Sequence, residues 1–141
     1  MNLTPNFSLE ELTRTDHREF DNTPPPEIVP NIKRMAEFME QVRRLLGVPI
    51  IVNSGYRSKQ VNDAVGSKDT SQHRFGCAVD FRCAGLTPDQ IVRRIRGSTL
   101  PFDQLIRGFD SWTHISIPIL AGAAPRRQVL IIDRKGVRPY A

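Results

Sequence analysis

From about residue 27 to 46 the apolar positions Ile28, Ile32, Met35, Phe38, Met39, Val42, Leu45 and Leu46 recur at three- and four-residue steps. That spacing lays one stripe along a helix, which Gly47 should end. Further upstream, Ser8 followed three residues later by Glu11 makes a capping box and predicts a short helix. "DNTPPPEIVP" between them predicts a stiff, extended linker. Downstream the pattern shortens toward alternation. Residues 49–53 predict a strand running into a turn at Gly55, 58–65 a short helix, and 77–83 a strand. Thr87 as N-cap and Pro88 at the first position open a helix through "TPDQIVRRIRGS". Residues 102–109 and 112–119 read as consecutive strands joined at Asp110-Ser111, and "QVLIIDRKG" as a last strand ending in an exposed basic tail. Helices first and strands afterwards predict an α+β fold, with a small, mostly antiparallel sheet and flanking helices. One domain over 1–141 is expected, with a helix and Pro-rich linker in 1–26 and the core in 27–141.

Strand parity decides which side chains meet. In 77–83, Cys77, Val79, Phe81 and Cys83 share an apolar face that belongs in the core, while Ala78, Asp80 and Arg82 share the other. In 112–117, Thr113, Ile115 and Ile117 take the core face and leave Trp112, His114 and Ser116 opposite. Asp80 and His114 are thus both displayed away from the core. A second imidazole, His73, precedes Asp80 in "SQHRFGCAVD", across a glycine. Two imidazoles and one carboxylate form the donor set of a catalytic zinc, which keeps its fourth position for water. A structural zinc would be closed by four protein ligands, mostly sulfur. Cys77 and Cys83 lie on the wrong face, at a spacing unlike the C-x2-C knuckle, and read as small buried hydrophobes with free thiols. His17, in the polar loop "RTDHREF", is given no role.

Charge and composition narrow the partners. The net charge of +5, from 20 Lys and Arg against 15 Asp and Glu, favours a polyanion such as a cell-wall polymer. The basic residues occur only as scattered pairs without interleaved aromatics, which argues against nucleic acid. No run approaches the ~18 apolar residues of a membrane span. "MNLTPNFSLEEL" lacks the basic and apolar regions of a secretory signal, so synthesis in a cytoplasm is expected, with release or carriage needed to act elsewhere.

"SGYRS", then "SQHRFGCAVDF", then "WTHIS" resemble the zinc D-Ala-D-Ala carboxypeptidases and L-alanyl-D-glutamate endopeptidases of the LAS metallopeptidase group. "FSLEEL", "DNTPP", "FDQLI" and "PRRQVLIIDRKG" extend the likeness to the compact forms of phages and prophages, over nearly the whole chain. The resemblance implies a LAS/hedgehog-like fold and a zinc peptidase of peptidoglycan stem or cross-link peptides, as an endolysin or a virion-borne wall-opening enzyme. It further implies His73, Asp80 and His114 as zinc ligands. Arg57 would bind a substrate carboxylate or polarise the scissile carbonyl, and Ser71 would hydrogen-bond the peptide or serve only as a turn residue. Bacterial peptidoglycan peptides would be the partner, with other virion proteins as a second class.

The chain departs from that pattern at the proton acceptor. Members carry an acid three before the last ligand, here Ser111, or a Glu after "FDQLI", here Gly108. Asp110 is then the nearest carboxylate. On a straight strand it stands about 13 Å from His114, so it serves as general base only if the chain bends at "FDS"; otherwise it is a turn residue. Without a base the fold would remain as a structural virion component or wall-binding module with weak hydrolysis.

Overall fold

The structure, a computed structural model, describes residues 1–140. Strands β1 (Asn2–Thr4) and β2 (Phe7–Ser8) form a small hairpin. Helix α1 (Leu9–Thr13) follows, with the expected capping box: the Ser8 hydroxyl accepts from the Glu11 amide at 3.1 Å. The hairpin is an addition to the expected helix and linker. Phe7 and Leu12, at 2% and 1% exposure, place the 1–26 stretch in the same core as the residues after it.

Helix α2 (Val29–Leu46) carries the predicted stripe and closes at Gly47 in the left-handed conformation. Ile32, Met35, Phe38, Met39, Val42 and Leu46 are buried. Leu45 is not: it stands 40% exposed, because Val42 and Leu46 already fill the inward positions of the last turn.

The main sheet has six strands: β3 (Ile51–Ser54), β4 (Ala78–Arg82), β5 (Gln104–Gly108), β6 (Trp112–Ser116), β7 (Gln128–Asp133) and β8 (Gly136–Pro139). Their spatial order is β3-β4-β6-β5-β7-β8. All pairs are antiparallel except β5 with β7. Strand β8 occupies the stretch expected to be a tail, folding back on β7 through a turn at Lys135. The long connection from β6 to β7 is pinned to the start of β5. Asp103 accepts from the backbone of Arg126 at 2.9 Å and from its guanidinium at 2.7 Å. Helix α3 (Lys59–Ala64), a single 3-10 turn (Gln72–Phe75) and helix α4 (Pro88–Arg96) complete the chain.

Alternation assigns the two faces of the sheet. Val79, Phe81, Thr113, Ile115 and Leu105, all 0% exposed, form the inner face. Helix α4 packs against β5 and β6 there, and α2 packs against α4. Cys77 and Cys83 belong to this side, as free, buried thiols. The opposite face displays Asp80 on β4 and His114 on β6.

Candidate metal centre

Asp80 and His114 are direct partners across the β4–β6 ladder, so both side chains rise from one row of the sheet. His73 reaches them from the 3-10 turn above, which Ser71 caps by accepting from the His73 amide at 3.3 Å. The Asp80 Oδ1 atom lies 2.8 Å from His114 Nδ1 and 3.3 Å from His73 Nε2. One donor atom from each of the three residues falls within 4.8 Å of the others. The site is secluded: the His73, Asp80 and His114 side chains are 4%, 15% and 12% exposed.

Two of the three donors, His73 and Asp80, are oriented by a partner behind them. His73 Nδ1 lies 2.7 Å from the Gly55 carbonyl, which can only accept, so that nitrogen carries the proton. Nε2 is left as a lone pair. Asp80 Oδ2 accepts from Arg57 Nη2 at 3.2 Å, and Arg57 Nε donates to Ser54 Oγ at 3.1 Å. Burial drives His73 toward the neutral imidazole, against the pull of Asp80. Burial also opposes ionisation of Asp80, but the two imidazoles packed against it outweigh that and hold the carboxyl far below its ordinary range. These are the protonation states that metal binding requires.

The donor chemistry fits a divalent zinc. With its only ring proton committed to Gly55, neutral His73 points a lone pair at a carboxylate oxygen 3.3 Å away. Two acceptors face each other with no proton between them, an arrangement that a cation resolves. Two imidazole nitrogens and one carboxylate oxygen, with His73 and Asp80 backed by outer hydrogen bonds, make the donor set of an open three-ligand zinc site.

The other expected residues fall differently. The Arg57 guanidinium holds Asp80 in place and also lines a second cleft with Ser54 and Val61. Ser71 caps the turn and also lines a cleft of about 550 Å³ beside His114, together with Gln72, Ile119, Leu120 and Arg126. Asp110 corrects the expectation of a general base. The chain does bend at "FDS", through the three residues Phe109–Ser111 between the paired Gly108 and Trp112, with Phe109 and Asp110 at φ 48° and 51°. The bend carries the carboxylate away. Asp110 accepts from Arg107 Nε at 2.5 Å and is 66% exposed. Arg107 pairs across the ladder with the inward Thr113 and also bonds Asp89 of α4. Asp110 is therefore drawn toward the α4 side of the sheet, opposite the donors. His17 sits in its loop beside Glu19.

Sequence reasoning missed the Gly55 carbonyl, because a backbone acceptor leaves no residue-type signal. It also missed Asp103 with Arg126 and Gln72, which tie the cleft together. Gln72 Nε2 donates to Asp103 Oδ2 at 2.8 Å and to the Ile117 carbonyl at 3.0 Å. An acid at a strand start and an arginine in a distant loop announce nothing until the fold joins them.

Against known proteins, the family model described as Peptidase M15 matches residues 5–116, a span that holds all three donors and Arg57. No curated protein matches the chain.

Proposed function

The chain belongs to the peptidase M15 family, and from that premise we propose that it is a zinc-dependent peptidase acting on the stem or cross-link peptides of bacterial peptidoglycan. The activity would be of the D-Ala-D-Ala carboxypeptidase or L-alanyl-D-glutamate endopeptidase type, in the service of a phage or prophage. The observation that carries this reading is the convergence of His73, Asp80 and His114, with His73 held by Gly55 and Asp80 by Arg57.

Zinc held by His73 Nε2, Asp80 Oδ1 and His114 Nδ1 would lower the pKa of a water to about 7 and polarise the scissile carbonyl. The chain's own residues do the rest. Gly55 and Arg57 keep two of the donors from turning. The adjoining cleft offers a peptide the apolar wall of Ile119 and Leu120 and the polar edge of Ser71 and Arg126. Arg57 sits 3.2 Å from Asp80 and carries positive charge at the edge of the centre, where negative charge develops on the substrate oxygen.

One observation favours a second reading, a wall-binding or structural virion component with weak hydrolysis. Among the described residues, Asp80 is the only carboxylate of the donor cluster. Asp110 turns away, and Asp103 is saturated by Arg126 and Gln72. Proton transfer by a positioned base is worth about 10²–10⁴ in rate. Mass spectrometry of muropeptides after digestion, with and without a chelator, separates the two. Chelator-sensitive products support the peptidase and identify the amide; intact muropeptides at every enzyme concentration support the second reading.

A further inference from the structure

The "SGYRS" loop, residues 54–58, contacts two of the three donors. Gly55 accepts from His73 Nδ1 at 2.7 Å, the Arg57 amide donates to the His73 carbonyl at 3.0 Å, and the Arg57 guanidinium reaches Asp80 at 3.2 Å. What fixes the loop itself lies in the N-terminal arm. The Tyr56 amide donates to the Leu12 carbonyl at 2.8 Å. A Cβ on Gly55 would stand 2.5 Å from that same oxygen, so the loop and the end of α1 touch backbone to backbone.

Asn22 completes the joint. Its Nδ2 donates to the Thr13 carbonyl at 2.7 Å and to the Tyr56 carbonyl at 3.0 Å, and its Oδ1 accepts from the Ser58 amide at 2.7 Å. Two carbonyls and one amide admit only this orientation of the side-chain amide. Asn22 is 9% exposed and touches no donor. Among the described residues it is the one side chain that bonds to both sides of the arm–loop boundary and to two backbone groups flanking Arg57.

We infer that Asn22 is a positioning residue of the metal centre, and that the arm it belongs to is the outer frame of that centre rather than a leader to the domain. The inference rests on the zinc reading above. Without Asn22, the Tyr56 carbonyl and the Ser58 amide lose their buried partner, and the peptide planes on either side of Arg57 are free to rotate. The Arg57 guanidinium then loses its fixed aim at Asp80, while the Gly55 carbonyl keeps the Leu12 tie on its own peptide plane. Loss of a partner behind a ligand costs about 10–100-fold in metal affinity, and Asn22 acts one bond further out, so about 10-fold is expected.

The experiment measures zinc dissociation constants by competition with a chromogenic chelator for the full chain, Asn22→Ala, Asn22→Asp and Glu40→Gln. Glu40 is the control: it holds Asn6 through bonds of 2.7 and 2.8 Å in another part of the arm. Asn22→Ala and Asn22→Asp should bind zinc about 10-fold more weakly and change the visible spectrum of the cobalt-substituted protein. Glu40→Gln should lower the melting temperature and leave both readouts unchanged. A readout in the wild type needs no variant to fold. By reciprocity, zinc should slow hydrogen exchange at the Tyr56 and Ser58 amides and leave the Asn6 amide unaffected. Wild-type zinc affinity in a folded Asn22 variant, or exchange at Tyr56 and Ser58 indifferent to zinc, would overturn the inference alone. A wild type that binds no zinc would overturn the zinc reading and the inference together.

Discussion

His114 on β6 is separated from the β5–β6 turn only by Trp112 and Thr113, yet the two regions are built by opposite means. Behind two of the donors the polar atoms are spoken for: His73 Nδ1 by Gly55, Asp80 Oδ2 by Arg57, Arg57 Nε by Ser54. At the turn, Phe109 and Asp110 adopt positive φ without being glycine, and they stand 47% and, in the side chain, 66% exposed. The ligand geometry is over-determined by buried bonds, while the turn answers only to local pairing with Arg107. A donor cluster can therefore be preorganised in a chain whose nearest acid in sequence has been taken over by hairpin chemistry.

Removing a donor breaks the comparison at its rigid end. His114→Ala should abolish stoichiometric zinc, a larger loss than the about 10–100-fold expected for an outer partner. Elemental analysis of the purified variant checks it, and full zinc retention would remove His114 from the ligand set. Next comes the backbone behind His73. Gly55→Ala forces a methyl against the Leu12 carbonyl 2.5 Å away, and neither backbone can yield locally. A loss of about 1–3 kcal/mol in denaturant unfolding, with weaker zinc binding, is expected; an unchanged midpoint would show that the contact is soft.

A smaller effect tests the core face against the donor face. Burial pushes the Cys77 and Cys83 thiols from the ordinary 9.0 up to about 11. Because the folded values lie above the unfolded one, their contribution is whole below pH 9.0 and is lost as the pH rises toward 11. The Cys77→Ala/Cys83→Ala protein should lose about 1–3 kcal/mol at neutral pH, show a flatter alkaline decline, and keep its zinc. Zinc loss from a folded double variant would mean that the two faces are not independent. The smallest effect belongs to the exposed turn. Asp110→Asn should cost less than about 1 kcal/mol and leave turnover unchanged; a fall of ~10²-fold would return Asp110 to the role of base.

Periodicity made much of this legible. The α2 stripe, the Ser8 and Thr87 caps and the alternation through Val79–Phe81 and Thr113–Ile115 depend on neighbours within a few residues, and the structure agrees with each. Parity likewise placed Asp80 and His114 on one face, and the ladder makes them direct partners. The elements that escaped depend on distant groups. The β1–β2 hairpin is held to α2 by Glu40, 34 positions from Asn6. The β8 strand is held by Tyr140, whose hydroxyl donates to Asp89 at 2.6 Å, 51 positions away. Asp110 was misplaced for the same reason: its partner Arg107 is local, but the face Arg107 takes is set by α4.

Trp112 is the only tryptophan of the chain, and its indole lies against Gly108 so closely that a Cβ there would meet it at 2.5 Å. Phe109 stacks on it at 5.4 Å, and His114 follows two residues along the same face, about 7 Å away. The protein thus carries one indole emitter, fixed by glycine below and phenylalanine beside it, within quenching range of the donor imidazole. Its emission is expected to move when that imidazole is bound by a metal, so occupancy of the centre can be followed optically, in real time and without a label.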